Sequence, residues 1–132
     1  MPGFMLDTNI LSEAIRNPNG AAANRMRVLA DEICTSIIVA AEIRFGIAKG
    51  GRPRLAHRAE ELLRTLQVVA FDSPADIAYG ELRAQLTRAG KVIGPNDLLI
   101  AAHALALDMT LVTANEREFS RVPGLRIENW LR

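Results

Sequence analysis

Three acidic residues stand where a carboxylate could do chemistry. Asp7 ends an apolar run in Phe4-Met5-Leu6-Asp7-Thr8-Asn9-Ile10-Leu11. That order reads as a short buried strand delivering a carboxylate to the end of a sheet, with a helix starting at once. Glu42 lies in Ile37-Ile38-Val39-Ala40-Ala41-Glu42-Ile43, the most apolar run in its part of the chain. At helical spacing it shares a face with Ile38, Val39, Phe45 and Gly46, so its carboxylate is expected to point inward. A buried carboxylate needs an arginine, a proton or a metal ion as compensation. Arg44 lies on a different face. Asp97 falls in the first turn of a helix opened by Gly94-Pro95-Asn96 and heads an inward stripe of Ile100, Ala101 and Ala104.

Each acid also has a plainer reading. Asp7 can be a helix N-cap. Glu42 can pair with a remote arginine. Asp97 can simply favour the positive end of a helix dipole. Asn115 and Glu118, which follow a strand ending at Thr113, have the spacing of a capping box, and equally suit the rim of a metal site. His103, among Leu99, Ile100, Ala106 and Leu107, reads as a satisfied core histidine. Neither histidine has metal-ligand spacing, and there is no Ser/His/Asp or Cys/His arrangement and no glycine-rich phosphate loop after a strand. The remaining chemistry is carboxylate-only. Hard oxygen ligands without His or Cys select Mg²⁺ or Mn²⁺, and such clusters typically hydrolyse phosphate esters.

The elements that must position these acids alternate along the chain. Strands are expected at Phe4–Leu6, Ile33–Thr35, Val68–Phe71, Thr110–Thr113 and Arg126–Glu128. Helices are expected at Ile10–Ile15, Ala21–Ala30, Ile37–Lys49 after a capping Ser36, Arg54–Leu66, from Ser73-Pro74-Ala75-Asp76 to Ala89, and Asp97–Leu107, with one turn at Asn115–Phe119. At 73–76 the pattern predicts a capping Ser73 with Pro74 at the first helical position. Short apolar strands alternating with helices predict a parallel sheet covered on both faces, with ligands outside the strand C-termini.

The 132 residues amount to one domain with one core, and 49% apolar with 23% charged describes a globular chain. Aromatics are 5%, so the core is aliphatic. A net charge of +1 neither demands nor excludes a nucleic-acid partner. Lys49, Arg52, Arg54 and Arg58, with His57 among them, form a local basic cluster that is either a solvated face or a phosphate-contacting patch. The single Cys34 allows no intrachain disulfide and fits a small core residue in a reducing cytosol. No signal peptide or membrane-spanning stretch is evident, so a soluble cytoplasmic protein is expected.

Taken together, Asp7-Thr8-Asn9, Glu42 in its apolar helix, Ile93-Gly94-Pro95-Asn96-Asp97 and Leu111-Val112-Thr113-Ala114-Asn115 resemble the PIN domain. Within that family the chain is most similar to VapC-type toxins of bacterial toxin–antitoxin modules. The likeness spans the chain and includes Ala101-Ala102-His103-Ala104 and the ending from Phe119 to Leu125. It implies a three-layer α/β/α sandwich around a central parallel sheet of four or five short strands. It also implies a Mg²⁺-dependent endoribonuclease, with Mn²⁺ as a substitute, that is usually a homodimer. Asp7, Glu42 and Asp97 match the acidic ligands by motif position; Asn115 stands where many PIN nucleases have Asp. One metal held directly by Asp7 and Asp97 is then favoured, with Glu42 acting through water or orienting the nucleophile. Thr8, Asn9 and Thr113 would hold the acids in place, and Lys49, Arg52 and Arg54 are candidate RNA contacts. The resemblance further implies a VapB-like antitoxin that inhibits the toxin and tethers it to operator DNA.

Two other functions suit the same acids. A Mg²⁺ phosphatase of another α/β fold commonly needs a second acid two residues after its nucleophile, where this chain has Asn9. A non-catalytic acidic pocket that receives a basic partner would bind that partner without needing Mg²⁺.

Overall fold

Phe4–Leu6, the apolar run before Asp7, forms β1 at the centre of the molecule in a computed structural model that describes residues 2–131. Met5 and Leu6 are fully buried, as a strand with a neighbour on either side and helices on both faces requires. β1 pairs in parallel with β2 (Ile33–Ser36) on one side and β4 (Thr110–Val112) on the other. β3 (Val68–Val69) extends the sheet beyond β2 and β5 (Ile127–Glu128) beyond β4, so the order is β3-β2-β1-β4-β5, parallel throughout.

Seven α-helices cover this sheet among the described residues. They are α1 (Thr8–Arg16), α2 (Ala21–Val28), α3 (Ile37–Lys49), α4 (Pro53–Thr65), α5 (Ala75–Ala89), α6 (Pro95–Ala106) and α7 (Glu116–Phe119). The crossovers from β1 through β2 to β3 run one way along the sheet, and those from β3 to β4 and β5 run back. Right-handed connections therefore place α1 to α4 on one face and α5 to α7 on the other. Accordingly α1 packs on α2, α3 and α4, while α5 packs on α6. This is the α/β/α sandwich expected. The chain leaves the neighbouring ends of β1 and β4 in opposite directions, which opens a crevice between them, the usual ligand position in such sheets.

Several boundaries differ from expectation. α1 starts at Thr8 because Asp7 accepts the Thr8 N–H at 2.7 Å. The second helix stops at Val28, and a 3-10 turn covers Ala30–Glu32. β3 stops at Val69, because the edge position offers it only Thr35 and Ser36 of β2 to pair with. Phe71 then packs edge-on against His103, ring centroids 5.2 Å apart. Ser73 does not cap α5: the helix begins at Ala75, Pro74 is the cap residue, and no side chain makes the capping bond. The Pro74 carbonyl instead receives the Ile77 and Ala78 N–H groups.

His103 is a buried polar residue with partners on both sides. Its Nδ1 lies 2.8 Å from Ser36 Oγ, and the ring also bonds the Ala70 carbonyl. Ser36 Oγ already accepts the Ile38 N–H at 3.0 Å, so its proton is free for Nδ1. Burial holds the imidazole below its ordinary pKa, which favours the neutral form that this arrangement needs. The histidine thus ties α6 to the start of α3 and the end of β3. Cys34 is buried beside Met109. No described helix is long and apolar enough to cross a membrane.

Candidate active site at the sheet's switch point

Asp7 leaves β1 at the crevice, 3% exposed, and its two carboxylate oxygens are held differently. Oδ1 accepts the Thr8 N–H at 2.7 Å, so the residue is an N-cap as the plainer reading had it. Oδ2 faces β4 and accepts the Thr113 hydroxyl at 2.7 Å and the Asn9 amide at 3.3 Å. Burial pushes the carboxyl above its usual range, opposed by the Thr113 and Thr8 hydrogen bonds and reinforced by repulsion from Glu42.

Asn9 and Thr113 join the two strand ends. The Asn9 side-chain oxygen accepts the Ala114 N–H at 2.9 Å, and its amide lies 3.5 Å from Thr113 Oγ1. Thr113 Oγ1 also accepts the Asn115 N–H at 3.0 Å. A fully buried hydroxyl therefore orders Asp7 and the β4–α7 turn at once.

Glu42 reaches the same crevice by another route. Its helix α3 presents Val39, Ala40 and Ile43 to the core. Glu42 stands about 100° round the helix from Ile43, on the flank of that stripe. It is half-buried rather than inward, while Phe45 and Gly46, expected to share an inward face, are exposed. A helix apolar almost all round gives periodicity little to orient. The partner of Glu42 is the Thr8 hydroxyl, 2.7 Å from Oε1, and no cation forms an ion pair with it among the described residues.

Asp97 occupies the third position of α6, whose entry is set by Gly94 and by Pro95 at the first position. Burial pushes its carboxyl up to about 7, helped by a hydrogen bond to Glu118 and by repulsion from Glu118, Asp7 and Glu42. Those repulsions place all four acids in one electrostatic neighbourhood. Glu118 is held below the usual range, first by the Gly94 N–H at 2.5 Å and then by its bond with Asp97. Protonated Asp97 donates to ionised Glu118.

The capping box that the spacing of Asn115 and Glu118 allows does not form. Asn115 makes no capping bond; its amide donates to Glu118 Oε2 at 2.8 Å and Asp97 Oδ2 at 3.4 Å. Glu118, left undecided between cap and metal rim, is a fourth acid of the pocket. Sequence hinted at it only through its spacing from Asn115.

These carboxylates are hard oxygen donors near enough to repel one another, and among the described residues Asp7, Glu42 and Asp97 have no basic side chain in ion-pair contact. A divalent cation fits such a donor set chemically. Among the described residues no three acidic, His or Cys side chains already form a ready-made cage. Hydrogen bonds to Thr8, Thr113, Asn115 and Gly94 keep the acids apart.

Of the basic residues, Lys49 and Arg52 line a groove of about 840 Å³ that leads away from Thr8 and Glu42 between α1, α3 and α4; Arg54 is exposed and is not part of its lining. Arg58 is turned to the Ile15 carbonyl, 3.3 Å away.

Residues 4–125 match the family model of the PIN domain. Ribonuclease VapC2 of Rickettsia felis is 41% identical over 130 residues, covering 96% of this chain and 97% of that protein. The tRNA(fMet)-specific endonuclease VapC of Salmonella typhimurium is 38% identical over 128 residues, with 96% and 97% covered. Among solved structures, VapBC2 from Rickettsia felis bound to a DNA fragment from its promoter superposes with a TM-score of 0.89 at 40% identity, over 96% of this chain and 98% of that one.

Proposed function

This chain belongs to the PIN-domain family, alongside its VapC ribonucleases, and on that basis we propose that it is the toxin of a toxin–antitoxin module, an endoribonuclease. The observation that carries the reading is the convergence of Asp7, Glu42, Asp97 and Glu118 on the crevice between β1 and β4, with no ion-pairing cation for the first three among the described residues. We read residues 1–132 as one catalytic domain that works in the cytoplasm as a homodimer.

PIN-domain nucleases are divalent-metal enzymes, and Mg²⁺ is the ion proposed here, with Mn²⁺ as substitute. Bound among these acids it would neutralise phosphoryl charge and acidify a water molecule. Asp7 and Asp97 would hold it. Thr113 and Thr8 fix the Asp7 carboxylate at both oxygens, so that it need not reorganise during reaction. Thr8 also fixes Glu42, which is positioned to orient the attacking water. Asn115 and Gly94 hold Glu118 as the acceptor for protonated Asp97; a cation held by Asp97 would replace that proton, which leaves to solvent. Lys49 and Arg52 contact RNA phosphates, with Arg54 as an outer contact.

The partner is a VapB-like antitoxin that blocks the acids and carries the toxin to operator DNA, as VapBC complexes on promoter DNA suggest. The tRNA(fMet) cut by the Salmonella relative is the first RNA to test. Residue 9 is an asparagine whose amide donates to Asp7 and whose carbonyl oxygen accepts the Ala114 N–H, so the position supplies no second acid for a phosphatase. The deciding experiment is sequencing of RNA ends after induced expression of wild type and Asp7→Asn. New 5′ ends should appear with wild type alone. Equal cleavage by a folded Asp7→Asn protein would overturn the assignment.

A further inference from the structure

Phe45 is 66% exposed, although it lies on α3 only three residues beyond Glu42. The Lys49 ammonium stands over its ring, 5.5 Å from the centroid. Lys49 lines the groove that runs from Thr8 and Glu42 past Gly46 to Arg52, with Arg16 on the opposite wall; Phe45 is not part of that lining and stands just outside it, against Lys49. Neither Lys49 nor Arg52 forms an ion pair among the described residues, whereas Arg16 shares Glu13 at 3.2 Å. The acids at the head of the groove repel a phosphate chain, so an RNA strand needs attractive contacts just outside them. An exposed aromatic ring with a lysine ammonium against it and cations without ion pairs beside it has the composition of a single-strand binding surface: cations for phosphates, a π-face for a base. Three residues advance a helix about 4.5 Å, which sets such a base next to Glu42 rather than far along the strand.

We propose that Phe45 is a stacking platform for a nucleobase of the RNA, with Lys49 and Arg52 holding the adjoining phosphates. This deepens the ribonuclease reading and rests on it. The experiment compares two fluorescent probes of about a dozen nucleotides: a single-stranded RNA without self-complementarity, and its abasic ribose-phosphate counterpart of equal charge. Binding is followed by anisotropy in an Asp7→Asn background. The base-bearing strand should bind about tenfold tighter than the abasic one. Phe45→Ala should remove most of that preference without weakening the abasic strand, and Phe45→Trp should keep it. Lys49→Ala and Arg52→Ala should weaken both strands alike and each lower the salt slope by about one. Phe45 is too exposed for its truncation to empty the core, and equal melting temperatures check this.

An unchanged base preference in Phe45→Ala overturns the platform. So does a variant whose only change is its sedimentation mass, which would assign Phe45 to contact between copies. If wild type cleaves RNA and the preference is nonetheless insensitive to Phe45, only the platform falls. If wild type neither binds nor cleaves any RNA, the ribonuclease reading falls and takes the platform with it.

Discussion

Replacing Asp97 by asparagine should stabilise the protein while abolishing its activity. Asp97 ionises near 7 in the folded chain instead of near 3.8, because burial and then Glu118 oppose its charge. Ionising such a carboxyl fully costs about 4 kcal/mol relative to one free in water. Part of that is returned through Glu118, whose own carboxyl is held down by the same hydrogen bond, and part is screened because Asp97 is only half-buried. About 1–2 kcal/mol should remain at pH 8. In Asp97→Asn the new side chain would match the shape of the protonated acid, and its amide can donate to Glu118 as the Asp97 proton does. The sign follows from the raised pKa: the stabilisation tied to protonated Asp97 is complete below about pH 4 and is lost as pH rises through about 7. Urea and thermal unfolding with a chelator present should therefore show wild type and variant nearly equal near pH 4, with the variant's advantage growing as pH rises towards 7. At pH 8 the variant should melt roughly 4–8 °C higher. Excess Mg²⁺ should narrow or reverse this order, since a cation at a hundredfold its Kd adds about 2.7 kcal/mol to the protein that binds it. A variant less stable than wild type at pH 8 in chelator would refute the account of Asp97 as an acid held against its charge.

The remaining predictions concern the supports around the acids. Thr113→Val keeps the shape but leaves Asp7 Oδ2 and the Asn115 N–H without the hydroxyl; chemical denaturation should show a loss of about 1–3 kcal/mol. The Asp7 carboxyl should ionise at still higher pH, readable by carboxyl NMR. His103→Ala should cost about 2–4 kcal/mol, since it empties a buried site and strands Ser36 and the Ala70 carbonyl. By NMR the His103 ring should titrate below 6.5, and wild type should lose stability as pH falls from about 6.5 through that lower value, a component missing from the variant. Thr8→Val should leave the melting temperature within about 3 °C of wild type, because its bond is half-exposed, yet reduce kcat for RNA cleavage by freeing Glu42 to swing.

The alternation of short apolar strands and helices, the acid after Phe4–Leu6 and the Pro-led helix that presents Asp97 were legible in the sequence. Each is written in neighbouring residues, where hydrophobic period and Gly/Pro punctuation act. Tertiary contact decided the rest. Nothing local says that the hydroxyl of Thr113 bonds the carboxylate of Asp7 across 106 positions; that follows from β1 and β4 pairing side by side. The face that α3 buries is not marked in an almost wholly apolar helix, and packing on the sheet chose Val39, Ala40 and Ile43. Asn115 and Glu118 looked like a local cap because their spacing is that of one. Asp97 and Gly94, brought opposite them by the return of the chain across the sheet, compete for the same polar atoms and win. The sequence by itself determined which residues end strands and begin helices, since those are short-range preferences. Only the packed sheet decided which carboxylates share one crevice, since that depends on long-range pairing and on the burial it creates.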